Sequence, residues 1–174
     1  TFSSYIYQLA LTIALVGTSA YMPELMRNYS SGSIVSAVNI ISIIKKKLFF
    51  VSGLFSGVIF FLNDYFVKFW AGTNVEVEGG VSIALALMLL QLSYLRCQGQ
   101  IMDALNLINE KSIYFLFSVV FSVVLVVFLD LFFADKNTLY ILVCIFIARL
   151  PVVFIFNSKI NKRLSVVFVK NNQS

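Results

Sequence analysis

The 174-residue chain has no histidine, two cysteines, two prolines and 8 acidic residues. Without histidine, the commonest general base and the commonest metal ligand are lost together. No GxxxxGK[ST] loop and no HExxH helix is present, which removes P-loop nucleotide binding and zinc-peptidase chemistry. Cys97 and Cys144 lack a CxxC partner and fall in or beside apolar runs, which predicts buried thiols rather than a disulfide or a metal site. Charge is also scarce: 12% of the residues are charged, against roughly a quarter in soluble domains, too few to wrap a water-soluble core.

What is abundant is apolar surface. Hydrophobic residues make up 60% of the chain and the mean hydropathy is +0.92, the composition of an integral membrane protein. The net charge of +5 does not point to nucleic acid, because the basic residues stand at the ends of apolar runs rather than along one face. No cofactor is expected. The chain opens Thr1-Phe2-Ser3-Ser4-Tyr5, with neither a methionine nor the basic region of a signal peptide, and is expected to be a piece of a longer protein.

Five apolar runs approach or reach the roughly 20 residues needed to cross a bilayer as a helix. They predict an all-α, polytopic transmembrane helix bundle, a single unit over 1–174 with spans at 5–22, 48–70, 81–109, 113–133 and 139–156. Barrel strands are excluded because the runs do not alternate polar and apolar residues. Lysine and arginine mark the connections at one side of the membrane: Arg27, Lys45, Lys46 and Lys47, then Lys111, then Lys159, Lys162, Arg163 and Lys170. The opposite side holds Glu76 and Glu78, and Asp135 with Lys136. The positive-inside rule therefore predicts Thr1 outside and Ser174 in the cytoplasm. Between the first two spans, Ser33 can cap a helix over 33–47 whose apolar positions Ile34, Val38, Ile41 and Ile44 follow helical spacing. This is either an interfacial helix with its lysines at anionic headgroups or an extension of the second span.

Several polar residues lie where lipid would not tolerate them. Span three has only fifteen clean residues before Arg96, so its helix must continue, carrying Arg96, Gln100, Asp103, Asn106 and Glu110 near one side and Gln91, Tyr94 and Gln98 near another. Arg96 either faces a polar cavity or marks the cytoplasmic border. Arg149, ten residues into span five, is placed near mid-membrane and must face a bundle interior or lumen, pair with a carboxylate or carbonyls, or snorkel. Pro151 is expected to weaken the helix nearby. Asp64 and Lys68 read as an i,i+4 interfacial ion pair, with a coupling-ion site at Asp64 and Asn63 as the alternative. Gly53 and Gly57 with Ser52 and Ser56, and Ala10, Ala14 and Thr18, form small-residue faces suited to close helix packing.

Three segments carry a family resemblance: TSAYMPELMRNY at 18–29 followed by SSGS at 30–33, DYFVKFWAG at 64–72, and NLINEK at 106–111. In order, spacing and topology they resemble the seventh-helix exit, the end of the eighth helix and the turn after the ninth helix of the O-antigen flippase branch of the multidrug, oligosaccharidyl-lipid and polysaccharide exporter superfamily. The resemblance implies a two-lobe exporter fold, of which this chain is part of the second lobe. It also implies flipping of undecaprenyl-pyrophosphate-linked O-antigen or related polysaccharide units across the bacterial inner membrane by alternating access, without enzymatic chemistry. The implied partners are the lipid-linked oligosaccharide, the bilayer, the first lobe of the same chain, and a polysaccharide polymerase with its chain-length regulator. From depth and chemistry, Arg149 and Arg96 are candidate pyrophosphate or acidic-sugar contacts, and Gln91, Gln98 and Gln100 candidate sugar contacts. The competing readings are a cation-coupled multidrug exporter, a membrane polysaccharide polymerase or glycosyltransferase, for which Glu76-Val77-Glu78 is a weak donor-site motif, and a noncatalytic membrane subunit.

Overall fold

The computed structural model describes residues 2–71, 79–130 and 138–171, and their regular structure is entirely helical: α1 Phe2–Ser19, α2 Met22–Ser30, α3 Ile34–Ala71, α4 Gly79–Ala104, α5 Ile108–Asp130 and α6 Thr138–Asn171. Helices satisfy their own backbone polar groups, which is what such apolar segments require in lipid.

Local chemistry sets the breaks. α1 stops at Ser19, earlier than the expected 22, with the Tyr21 N–H on the Thr18 carbonyl at 3.1 Å. α2 then restarts with Pro23 in its first turn, where a missing N–H is harmless. α2 ends on Gly32 at φ 78°, with Ser33 N–H donating to Asn28 (2.9 Å) and Gly32 N–H to Tyr29 (3.2 Å). This is the six-to-one and five-to-two closure of a left-handed helix cap. Asn106 repeats it at φ 59°, with Leu107 N–H on Met102 (2.9 Å) and Asn106 N–H on Asp103 (3.1 Å), while Leu107 and Met102 are both buried. Asparagine tolerates this backbone better than most residues. The cap ends α4 at Ala104 rather than 109. The expected polar face therefore stops at Asp103, with Asn106 in the turn and Glu110 in the first turn of α5.

Two further boundaries move for tertiary reasons. α6 does not stop at 156 but runs unbroken through Pro151 to Asn171, because Phe156, Ile160 and Leu164 continue its buried stripe. The segment 33–47 is not a separate interfacial helix. It is the first part of the 38-residue α3, about 57 Å long at 1.5 Å per residue. Its positions Ile34, Ala37, Ile40, Ile41, Ile44 and Leu48 are buried in one cluster with Leu25, Met102, Phe156 and Ile160, whereas Val38 is exposed. The stripe faces protein rather than headgroups.

α4 is the hub, packed by all five other helices. It runs parallel to α1, since the Tyr7 hydroxyl donates to the Met88 carbonyl (3.5 Å) and Gln100 donates to the Ser19 hydroxyl (3.1 Å). It runs antiparallel to α3, where Ser56 donates to the Ala86 carbonyl (2.9 Å) and Asn63 to Ser82 (3.0 Å). It is parallel to α6: Gln91 donates to the Phe146 carbonyl, and at Gly80 an added Cβ would come within 2.9 Å of Leu139. Ala10, Ala14 and Thr18 are buried as expected, as are Ser52 and Ser56, but Gly53 and Gly57 have open space beside them.

Among the described residues four stretches are long and apolar enough to cross a membrane: Tyr7–Ser30, Gly80–Ala104, Ile108–Phe128 and Leu139–Val169. α3, which carries the span expected at 48–70, is not one of them, although its antiparallel contacts hold that stretch beside α4. One end of the bundle is polar and basic. There Lys111 pairs with Asp103 (2.5 Å), Lys159 with Glu110 (2.7 Å), Arg163 donates to the Tyr29 hydroxyl (2.9 Å) and Lys47 to the Tyr21 hydroxyl.

Candidate functional site

α1 and α6 both pack on α4 and make no substantial contact with each other. Arg149 enters from α6, half-buried beside the fully packed Ala148 and Val152, and Arg96 rises from α4, exposed. The two guanidinium groups lie within electrostatic reach of each other and of the Tyr7 hydroxyl on α1. Neither has a carboxylate or hydrogen-bond partner among the described residues, where Asp64, Asp103 and Glu110 are each taken by a lysine. Among the described residues, the pairing alternative for Arg149 finds no partner. Beyond Arg96, Cys97, Ile101 and Met102 are buried in protein rather than solvated. Two like charges held near one another without a counterion form a natural anion site, since a bridging phosphate or carboxylate cancels their repulsion and accepts their hydrogen bonds.

The expected sugar contacts do not join the arginines as a set. Tyr94 and Gln98 stand two positions either side of Arg96, about 200° around the helix and hence on the opposite face. Gln91, on that face too, is buried and spent: its amide donates to the Phe146 carbonyl at 2.8 Å, next to the Ile147 carbonyl that Pro151 deprives of its helix partner. Gln100 shares the face of Arg96 and binds Ser19 through its amide nitrogen, leaving its carbonyl oxygen without a partner. It alone of the three glutamines remains beside the arginines.

Gln98 is 1% exposed, and neither of its amide atoms has a hydrogen-bond partner. The Tyr94 hydroxyl, one turn away, is the near polar group, but it does not meet hydrogen-bonding geometry with either amide atom. Each orphaned atom costs about 1–3 kcal/mol. Gln98→Leu is therefore expected to raise the thermal unfolding midpoint in detergent; a fall of several degrees would show that the amide is satisfied in the native protein.

On that opposite face, a groove of about 670 Å³ opens between α3 and α4. Lys45 and Lys46 stand at its rim, with Phe49, Phe50 and Leu54 along its wall. Lys45 donates to the Asn157 side chain at 2.8 Å and lies 6.0 Å from the centre of the Tyr94 ring. Preceding the apolar stretch that begins at Leu48, its ammonium is pushed below the ordinary lysine range by burial, partly opposed by Cys97.

The ion-coupling pair is not assembled. Asn63 is buried against Ser82, whereas Asp64 forms a partly exposed ion pair with Lys68 at 2.7 Å, as the interfacial reading expects. Cys97 and Cys144 are buried free thiols, and no acidic or thiol cluster able to hold a metal occurs among the described residues. Glu76, Glu78, Asp135 and Lys136 lie outside the described residues. Tyr7 had no signal in the sequence, being distant from both arginines along the chain. Lys45 carried one only as a topological charge. Compared with known proteins, the chain matches no family model, no curated protein and no solved structure.

Proposed function

We propose that this chain is part of a membrane exporter that flips undecaprenyl-pyrophosphate-linked O-antigen or related polysaccharide units across the bacterial inner membrane by alternating access. The observation that carries this reading is that Arg96 on α4 and Arg149 on α6 lie within electrostatic reach of each other and of Tyr7 on α1, two cations without a counterion among the described residues. A diphosphate crossing a region poor in water needs such a site, because cations offered by the protein replace part of its hydration while the polyprenyl tail remains in lipid. The resemblance of 18–33, 64–72 and 106–111 to the flippase branch supports the same reading. The basic end of the bundle is assigned to the cytoplasm by the positive-inside rule, and the first lobe would face the two arginines across the transport path. No covalent step is assigned to the chain. In cells lacking the full-length gene, complete lipid-linked units should accumulate and surface polysaccharide disappear, both reversed by complementation. Unchanged polysaccharide would overturn the proposal.

A further inference from the structure

We infer that the groove between α3 and α4 holds an anionic glycerophospholipid, its phosphate at Lys45 and Lys46 and an acyl chain along Phe49, Phe50 and Leu54. This site lies on the face of α4 opposite Arg96 and does not depend on the transport proposal.

Three observations point to lipid rather than to a further helix. The groove is chemically divided along its length: ammonium groups stand at the rim, aromatic and aliphatic side chains follow one turn deeper, and no acidic residue lines it. A helix laid over it would have to bring a carboxylate to the lysines, whereas a phospholipid brings both halves in the right order. The lysines are also free to serve. Lys46 is exposed with no partner among the described residues, and Lys45 uses one of three donors on Asn157, while Lys47 is taken by Tyr21 and does not line the groove. Finally, the wall is recessed at Gly53, where an added Cβ would meet no atom within 4 Å, and a second space of about 360 Å³ bounded by Phe49, Tyr94 and Leu150 continues toward α6. The lysines precede the apolar stretch directly, the level at which a phosphate sits when its chains enter hydrocarbon.

The test is native mass spectrometry of the purified full-length protein in detergent, titrated with phosphatidylglycerol and, separately, phosphatidylcholine. Wild type should retain one phosphatidylglycerol in clear preference to phosphatidylcholine. Each of Lys45→Gln and Lys46→Gln should reduce that preference about fivefold, the effect of one lysine near an anionic lipid. Lys46→Gln breaks no hydrogen bond or ion pair among the described residues, so its loss of binding cannot readily be ascribed to misfolding. Gly53→Leu, which fills the recess and favours the helix, should lower retention of both lipids. Equal retention of the two lipids by wild type, or an unchanged preference in Lys46→Gln, would overturn the inference. So would failure of phospholipid-borne quenchers to reach a fluorophore at Leu54→Cys, the result expected if another helix covers the groove.

Discussion

Replacing Arg149 with alanine is expected to abolish surface polysaccharide while leaving the protein folded and expressed. The two halves of that expectation come from the same geometry. Removing one partner of a buried ion pair would strand its counter-charge, but among the described residues Arg149 has no carboxylate to strand, and the formal charge that acts on it is the like-signed Arg96. Stability should therefore change little. Transport loses one of two cations meeting the anion, and truncating a desolvated charge contact costs about 2–5 kcal/mol, roughly thirtyfold to several thousandfold in rate. Arg149→Lys keeps the charge but loses the planar fork, so partial activity is expected if a phosphate or carboxylate is bridged. Arg96→Ala should reproduce the defect more weakly, because Arg96 is the more exposed of the two. Surface polymer is read on gels and lipid-linked intermediates by extraction. Normal polymer from a well-expressed Arg149→Ala protein would sink the assignment of this residue.

The second large effect concerns stability. Phe156 is fully buried where α4, α5 and α6 meet, in edge-on contact with Phe115 (ring centroids 5.7 Å apart) and Tyr114 (6.4 Å). Phe156→Ala is expected to cost about 3–5 kcal/mol, the range for deleting a buried aromatic ring, and to lower the unfolding midpoint in detergent sharply. Phe154 provides the control. Two residues away on the same helix, it is 72% exposed, and Phe154→Ala should change stability by no more than about 0.5 kcal/mol. Equal effects at the two positions would mean that α6 is rotated relative to the bundle described.

These two residues show where local reading stops. Both are phenylalanines in one apolar run, and no property of the run tells them apart. In a soluble protein the stripe facing the core stands out against a polar surface, but in a membrane bundle lipid and protein are equally apolar partners. The same ambiguity underlies 33–47, whose apolar stripe matches both an interfacial helix and a buried one. Contact with Leu25, Met102 and Phe156 decides it. The arginines illustrate the converse. Each was recognisable alone, because a guanidinium within an apolar run needs polar company, but the company could not be named from spacing. Gln91 and Gln98, singled out by the same logic, turn out to be a strut to α6 and an orphaned amide on the other face of α4.

The sequence by itself determined that the chain is a helical membrane protein, since 60% hydrophobic and 12% charged residues admit little else, and it marked the small-residue turn that contains Gly32, whereas the left-handed break at Asn106 fell inside the helix expected over 81–109. Only the tertiary structure decided the far end of α6, the fate of the three lysines at 45–47, and the meeting of Tyr7, Arg96 and Arg149 from three helices. A turn depends on a few neighbouring backbone angles that local residues control. A meeting of side chains from three helices depends on which faces of distant helices pack together, and in an apolar chain many faces compete on nearly equal terms.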